Sequence, residues 1–221
     1  FSDIQLYSYL KKILINFGKK PVWYKTFDVS DTLLGWHGVR RGLAEFLLKT
    51  EFEVVKKLAD EGFTNLGITL SFVTQLDEVR RAKKLLKEVG LEPLEEVEFG
   101  VIIQTPASVC LIEDICKEGV DFIVIDLTDL TQLTFGIDKN QEKLISYFNP
   151  LSKAVMEQVL RVIRICKEQN VEVCVRGEKI DDEEMIQWLV RQGVDSLSVL
   201  PQAYDKVKQM VAKHERKLLL M

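Results

Sequence analysis

The segment Asp121–Gln132, DFIVIDLTDLTQ, places an apolar run before two carboxylates, Asp126 and Asp129, three residues apart and flanked by threonines. Carboxylates at the end of a buried strand can hold a hard divalent cation, orient a substrate or cap the next helix. Lys25, His37, Gln104, Thr128 and Arg176 also lie at or near the ends of apolar runs. They offer two fixed or titratable cations, an amide, a hydroxyl and a guanidinium. Such a set could bind an anion, and with Asp129 it could bind a metal. All of this depends on whether the chain brings those ends together.

The alternation of elements says that it does. Short apolar runs read as strands at Pro21–Phe27, NLGITLSFV, EFGVIIQTP, VDFIVID, VEVCVRG and DSLSVL, with a weaker seventh pattern near Trp36–Arg40. Helical patterns lie between them: about Leu43–Glu61 ending at Gly62, QLDEVRRAKKLLKEVG, ASVCLIEDICKEG with Pro106 in its first turn, about Leu151–Gln169, DDEEMIQWLVRQG, and a last helix from about Gln202. A first helix carries Ile4, Tyr7, Leu10, Ile13, Leu14 and Phe17 on one face, with Ser2 and Asp3 able to cap it. Strands apolar on both faces and spaced by single helices predict a parallel sheet with helices outside. The count favours one α/β domain, a TIM-type (β/α)8 barrel over residues 1–221, over a doubly wound sheet. No G-x-G-x-x-G follows a strand. In a barrel the active site lies at the C-terminal strand ends. These are Lys25–Asp28, Trp36–Arg41, Ser71–Thr74, Gln104–Thr105, Asp126–Asp129, Arg176–Glu178 and Pro201.

Composition bounds the function. The 221 residues are 47% hydrophobic, enough for a sizeable core, and the formal net charge is −4. That balance argues against a nucleic-acid surface. No apolar run reaches the length of a membrane span, and lysines interrupt the first helix, so neither a span nor a signal peptide is expected. The four cysteines, Cys110, Cys116, Cys166 and Cys174, form no C-x-x-C pair. With only two histidines they predict no zinc site, but reduced core residues in a cytoplasmic protein. Cys110 and Cys116 are expected in or near the core, as are Phe46, Phe52, Val55 and Leu58. The basic last helix reads as a solvated face. Phe1 in place of Met leaves room for polypeptide upstream.

Taken in order, PVWYKTFD, LGWHGVRR, ITLSFV, VIIQTPAS, DFIVIDLTDLTQLTFGIDKN, VEVCVRGE and LVRQGVDSLSVLP resemble the C-terminal barrel of the phosphoenolpyruvate-utilising enzymes. This is the family of phosphoenolpyruvate synthase, pyruvate phosphate dikinase and enzyme I of the sugar phosphotransferase system. The resemblance runs from about Lys20 to Lys208. The family's first barrel strand has no counterpart, so that strand lies upstream or the barrel is open at one seam. The ATP-grasp and phosphohistidine domains are also absent from this sequence. The resemblance implies a barrel that binds phosphoenolpyruvate or pyruvate with Mg²⁺. Two arginines hold the phosphate, a Glu and an Asp hold the metal, an Asn positions the substrate, and a Cys moves the proton at the methylene carbon.

Nearly all of those positions differ here. Lys25 and His37 stand where the family has its two arginines, and Gln104 where it has the metal Glu. Ahead of the D-L-T-Q run that begins at Asp129, Val124 replaces the family's Ser, Asp126 its Gly, Leu127 its Thr and Thr128 its Asn. Arg176 replaces the Cys, and Cys174 lies deeper on the same strand face. Asp129 alone is retained. Lys25 loses the guanidinium fork, His37 is only partly charged near neutral pH, and a guanidinium cannot act as a proton donor there.

The expected reading is a barrel related to phosphoenolpyruvate synthase with no intact catalytic set and no resident cofactor. It would serve as a binding, regulatory or assembly module for a phosphorylated small molecule or a protein partner, with a homodimer compatible with an open seam. Lys25, His37, Asp126, Thr128 and Arg176 remain as ligand-binding candidates, and Asp129 with Gln104 as a weak metal site. Two alternatives stay open. One is a working phosphoenolpyruvate/pyruvate phosphotransfer domain, Mg²⁺-dependent and acting with separate domains. The other, weaker, is a Mg²⁺-dependent lyase or aldolase using Asp126 and Asp129. Loop capping and residual metal binding both fit Asp129, and His37 reads as structural or partly exposed. Asp126 and Arg176, at the ends of consecutive strands, are expected to pair across the barrel mouth.

Overall fold

The computed structural model describes residues 2–27, 43–138 and 141–220. His37 and the weaker strand pattern at Trp36–Arg40 lie outside the described residues. Among the described residues six strands form one parallel sheet in sequence order: β1 (Val22–Lys25), β2 (Leu66–Leu70), β3 (Glu98–Ile103), β4 (Phe122–Asp126), β5 (Glu172–Arg176) and β6 (Ser196–Ser198). The helices are α1 (Asp3–Phe17), α2 (Leu43–Asp60), α3 (Leu76–Glu88), α4 (Pro106–Cys110), α5 (Ile112–Glu118), α6 (Leu127–Phe135), α7 (Lys153–Glu168), α8 (Glu183–Gln192) and α9 (Tyr204–Leu219).

Period-two alternation divides each strand between two environments. Ile68, Val101, Ile103, Ile123, Ile125, Val173 and Val175 face the helices in one continuous core. Ile102, Phe122, Val124 and Cys174 point to the concave side with Trp23. Burying each Leu, Ile or Phe of the outer core is worth roughly 1.5–3 kcal/mol. The sheet curls. Trp23 on β1 and Phe122 on β4 stack with ring centroids 3.9 Å apart and planes 6° from parallel. In a flat sheet those strands would lie about 14 Å apart. The rings meet over Gly67 on β2 and Gly100 on β3. A Cβ at Gly67 would sit 2.8 Å from the Trp23 ring, and one at Gly100 would sit 2.4 Å from the Phe122 ring.

Local chemistry sets the helix starts. Ser2 caps α1 in a reciprocal box with Gln5. Thr105 caps α4 with Pro106 in its first turn, and Asp182 caps α8. The segment 107–119 forms two helices and not one, parted at Leu111, which ends α4 and begins α5.

Two expectations about the core are corrected, those for Phe46 and Cys110. Phe46 is 71% exposed. It lies six residues, about 240° around the helix, from Phe52, so it misses the stripe of Phe52, Val55 and Leu58. On α1 the buried line is Leu6, Leu10 and Leu14, while Ile4 and Phe17, in the terminal turns, are exposed. Cys110 is exposed at the end of α4, where Ser108 and Val109 turn inward.

Candidate functional site

The C-terminal ends of β1, β3, β4 and β5 bring Lys25, Gln104, Asp126 and Arg176 to one end of the concave face. Asp126 closes β4 and directly precedes α6. Its Oδ1 accepts the Thr128 and Asp129 backbone N–H groups at 3.1 and 3.2 Å, the work of an N-cap. Its Oδ2 meets Arg176 Nε at 3.0 Å. The two residues are register partners on neighbouring strands, so the pair spans one strand spacing. The expected pairing across the mouth is present, and the capping role is present with it.

The pair is asymmetric. The Asp126 side chain is 4% exposed and that of Arg176 39%. Burial pushes the Asp126 carboxyl above the usual range, and the neighbouring Asp129 charge adds to this. Arg176, the Asp129 amide and Lys25 pull the other way. Desolvation therefore outweighs the ion pair, as expected when one partner is buried and the other half in water. The Lys25 charge acting on Asp126 places that ammonium in the same electrostatic neighbourhood.

Gln104 follows β3 and is fully buried. Its Oε1 accepts the Phe72 N–H at 2.7 Å, and its Nε2 donates to Asp129 Oδ2 at 2.6 Å. The first bond fixes the sense of the second, because rotating the amide would set two donors against each other at Phe72. Phe72 itself adopts φ +56°, a strained conformation for a bulky residue. Gln132 Nε2 donates to Asp129 Oδ1 at 3.3 Å. Both Asp129 oxygens thus accept amide N–H groups.

This arrangement bears on Mg²⁺, the metal the resemblance implies. A Mg²⁺ site needs oxygen donors with lone pairs directed at the ion. Gln104 turns its nitrogen toward Asp129 and commits its oxygen to the backbone. The described residues therefore do not fit the ion. Among them, no three His, Cys, Asp or Glu side chains cluster closely enough to hold a metal.

Thr128 is held by the backbone on both sides. Its N–H serves the Asp126 cap, and its Oγ1 accepts the Glu178 N–H at 2.7 Å. Gly177 permits that approach with φ +131°, where a Cβ would lie 2.9 Å from the Thr128 nitrogen. Cys174 sits below, buried in the apolar part of the concave face, and burial pushes its thiol up.

Glu51 was not singled out by the sequence reading. It is buried on α2, and its Oε1 accepts from Tyr24 Oη at 2.7 Å and from the Phe27 N–H at 2.8 Å. It thereby holds the chain where β1 reaches the mouth. The available signal was its position inside the apolar stripe of α2, between Leu48 and Phe52.

A parallel sheet curled around an apolar base, with helices outside and polar side chains gathered at its C-terminal ends, defines a domain of the TIM-barrel class. Solved structures agree. The chain superposes on a malate synthase from Haloferax volcanii with a TM-score of 0.64 at 14% identity, covering 93% of this chain and 58% of that one. It superposes on an HpcH/HpaI aldolase/citrate lyase family protein from Burkholderia cenocepacia with a TM-score of 0.62 at 13% identity, covering 98% and 81%. Those likenesses show the fold alone.

Sequence comparison is more specific. The family described as PEP-utilising enzyme, PEP-binding domain, matches residues 2–216. The chain is 38% identical over 227 residues to the phosphoenolpyruvate synthase of Pyrococcus furiosus, covering 95% of this chain and 28% of that one. It is 36% identical to a probable phosphoenolpyruvate synthase of Archaeoglobus fulgidus, covering 97% and 31%. The chain belongs to the PEP-utilising enzyme family, as its PEP-binding domain. It spans under a third of the length of these curated relatives. No helix of the described residues is long and apolar enough to cross a membrane.

Proposed function

We propose that this barrel, related to phosphoenolpyruvate synthase, has lost Mg²⁺-dependent phosphotransfer and serves as a binding, regulatory or assembly module. One observation carries the reading: the Gln104 amide, fixed by the Phe72 N–H, donates into Asp129 where a metal would require a second oxygen. The Asp126–Arg176 pair supports it by placing an internally compensated ion pair at the strand ends. Replacing a catalytic thiol by a guanidinium also removes the group that would move a proton. A phosphorylated small molecule or an acidic segment of a partner protein bound without metal would meet Lys25 and the half-exposed Arg176, and would compete with Asp126 for that guanidinium.

Calorimetry tests the proposal. Titration with phosphoenolpyruvate or pyruvate in millimolar Mg²⁺ should give no Mg²⁺-dependent heat. Saturable binding that disappears with chelator would overturn the reading. It would favour the alternative, a working phosphotransfer domain acting with phosphohistidine and ATP-grasp domains, for which the retained Asp129 and the relatedness to synthases speak.

A further inference from the structure

At the end of the barrel away from the mouth, two thiols are held face to face. Cys116 lies on α5 two residues before its end, and Cys166 on α7 two residues before its end. Their Sγ atoms are 3.9 Å apart, across 50 residues of sequence. Both side chains are buried, Cys116 at 7% exposure and Cys166 at 0%. The next residues lead into β4 and β5 at their N-terminal ends, so the pair sits at the base of the barrel. In this fold that end contributes stability, and the other end carries the chemistry.

We propose that Cys116 and Cys166 form a redox pair that closes to an intramolecular disulfide under oxidising conditions and staples α5 to α7. The sulfurs must approach to about 2.05 Å, a movement of under roughly 2 Å between side chains already in contact. Cys116, the more exposed thiol, reaches a small disulfide first. The hydrogen bond with Cys166 holds the Cys116 thiol below its ordinary range, and that bond together with burial pushes Cys166 up. Thiolate character therefore favours Cys116 as the attacking group.

The chemistry balances with a symmetrical low-molecular-weight disulfide as oxidant. The Cys116 thiolate attacks one sulfur of that disulfide, and one small thiol leaves with the proton that Cys116 lost. Cys166, deprotonated in turn, attacks the Cys116 sulfur of the mixed disulfide, and the second small thiol leaves. Two protein thiols are oxidised and one small disulfide is reduced to two thiols. Cys174 lies across the sheet on the concave face and Cys110 is exposed on α4, so neither competes for this partner.

The test uses the full chain and oxidised glutathione. After equilibration the protein is unfolded in denaturant, alkylated, and mapped by mass spectrometry. The linked peptides should carry Cys116 and Cys166, while exposed Cys110 takes up glutathione as a mixed disulfide and releases one small thiol. The melting temperature should rise on the order of 5 °C and return with dithiothreitol. C166S should abolish that response and C110S should retain it. Absence of a Cys116–Cys166 link after oxidation, a link through Cys110 or Cys174, or a link without thermal stabilisation would overturn the proposal. If C166S does not fold, the peptide map of the unsubstituted chain decides alone.

Discussion

At the base of the concave face, Trp23 and Phe122 stack at 3.9 Å over two glycines. Four residues further along β4, at the mouth, Asp126 meets Arg176 at 3.0 Å. Both ends fill the interior of a curled sheet, by opposite means. The base uses apolar area and the absence of side chains on β2 and β3, so it is sensitive to volume and indifferent to pH. The mouth uses donors matched to acceptors, so it is sensitive to charge and tolerant of small changes in shape.

The largest expected effect breaks the base. Gly100→Ala would place a methyl group 2.4–2.6 Å from three atoms of the Phe122 ring, which is itself held by Trp23. Neither ring can retreat without losing the stack, and overpacking of this kind costs about 3 kcal/mol. Urea denaturation should show that loss at every pH. A variant as stable as the parent would mean that the rings do not occupy this space.

At the mouth, Gln104→Glu tests the polar matching. The new carboxylate would still accept the Phe72 N–H with one oxygen, but its other oxygen would face Asp129 Oδ2, which Nε2 now approaches to 2.6 Å. Two carboxylates in that geometry require a proton or a cation. The variant should lose about 2 kcal/mol in chelator near pH 8. Millimolar Mg²⁺ should restore part of it, whereas the parent melting temperature should not respond. A variant indifferent to both Mg²⁺ and pH would show that the residue at position 104 does not decide metal binding.

Removing Arg176 separates burial from pairing. In Arg176→Met, Asp126 keeps its cap bonds and the weaker influence of Lys25 but loses its nearer counter-charge, and its folded pKa, already raised by burial, rises further. A carboxyl whose folded pKa exceeds its unfolded value contributes stability that is fully present below the unfolded range. That contribution is lost as pH rises through the folded value. The variant should therefore match the parent near pH 4 and fall behind by about 1–2 kcal/mol at pH 8. That is less than a fully buried pair would lose, because Arg176 is partly solvated. A cost independent of pH would assign the role of Arg176 to packing of its stem.

The same division explains what the sequence could say. The strand runs, their order and the glycine stops were legible because burial on both faces and helix capping are local signals. Asp126 and Arg176 were legible as a pair because consecutive parallel strands must be neighbours and each residue closes its strand. The Trp23–Phe122 stack was not, since it joins β1 to β4 and depends on glycines in two other strands. The orientation of the Gln104 amide was not either, because it is dictated by a backbone N–H at Phe72 from a neighbouring strand end. Phe46 was misplaced because a six-residue step was read as one helical face, and Cys110 because the helix that carries it ends one turn after it starts.

The smallest effect concerns the acid that anchors β1. Glu51 Oε1 accepts from both Tyr24 and Phe27, which partly stabilises the charge, yet burial dominates and pushes the carboxyl above its usual range. Burial and the Glu51 charge push the Tyr24 phenol up as well, so it stays protonated and keeps donating. The sign follows as for Asp126. The contribution of Glu51 is present at acid pH and declines as pH rises through its folded value. Glu51→Gln retains an Oε1 able to accept both bonds and removes the buried charge. It should therefore lie within about 0.5 kcal/mol of the parent at pH 5 and be more stable by up to about 1 kcal/mol at pH 8, with a flatter dependence between. A loss at pH 8 would mean that the charge-assisted bonds to Tyr24 and Phe27 exceed the cost of desolvation. The buried acid would then resemble the mouth, where charge is matched by a partner, more than the base, where volume decides.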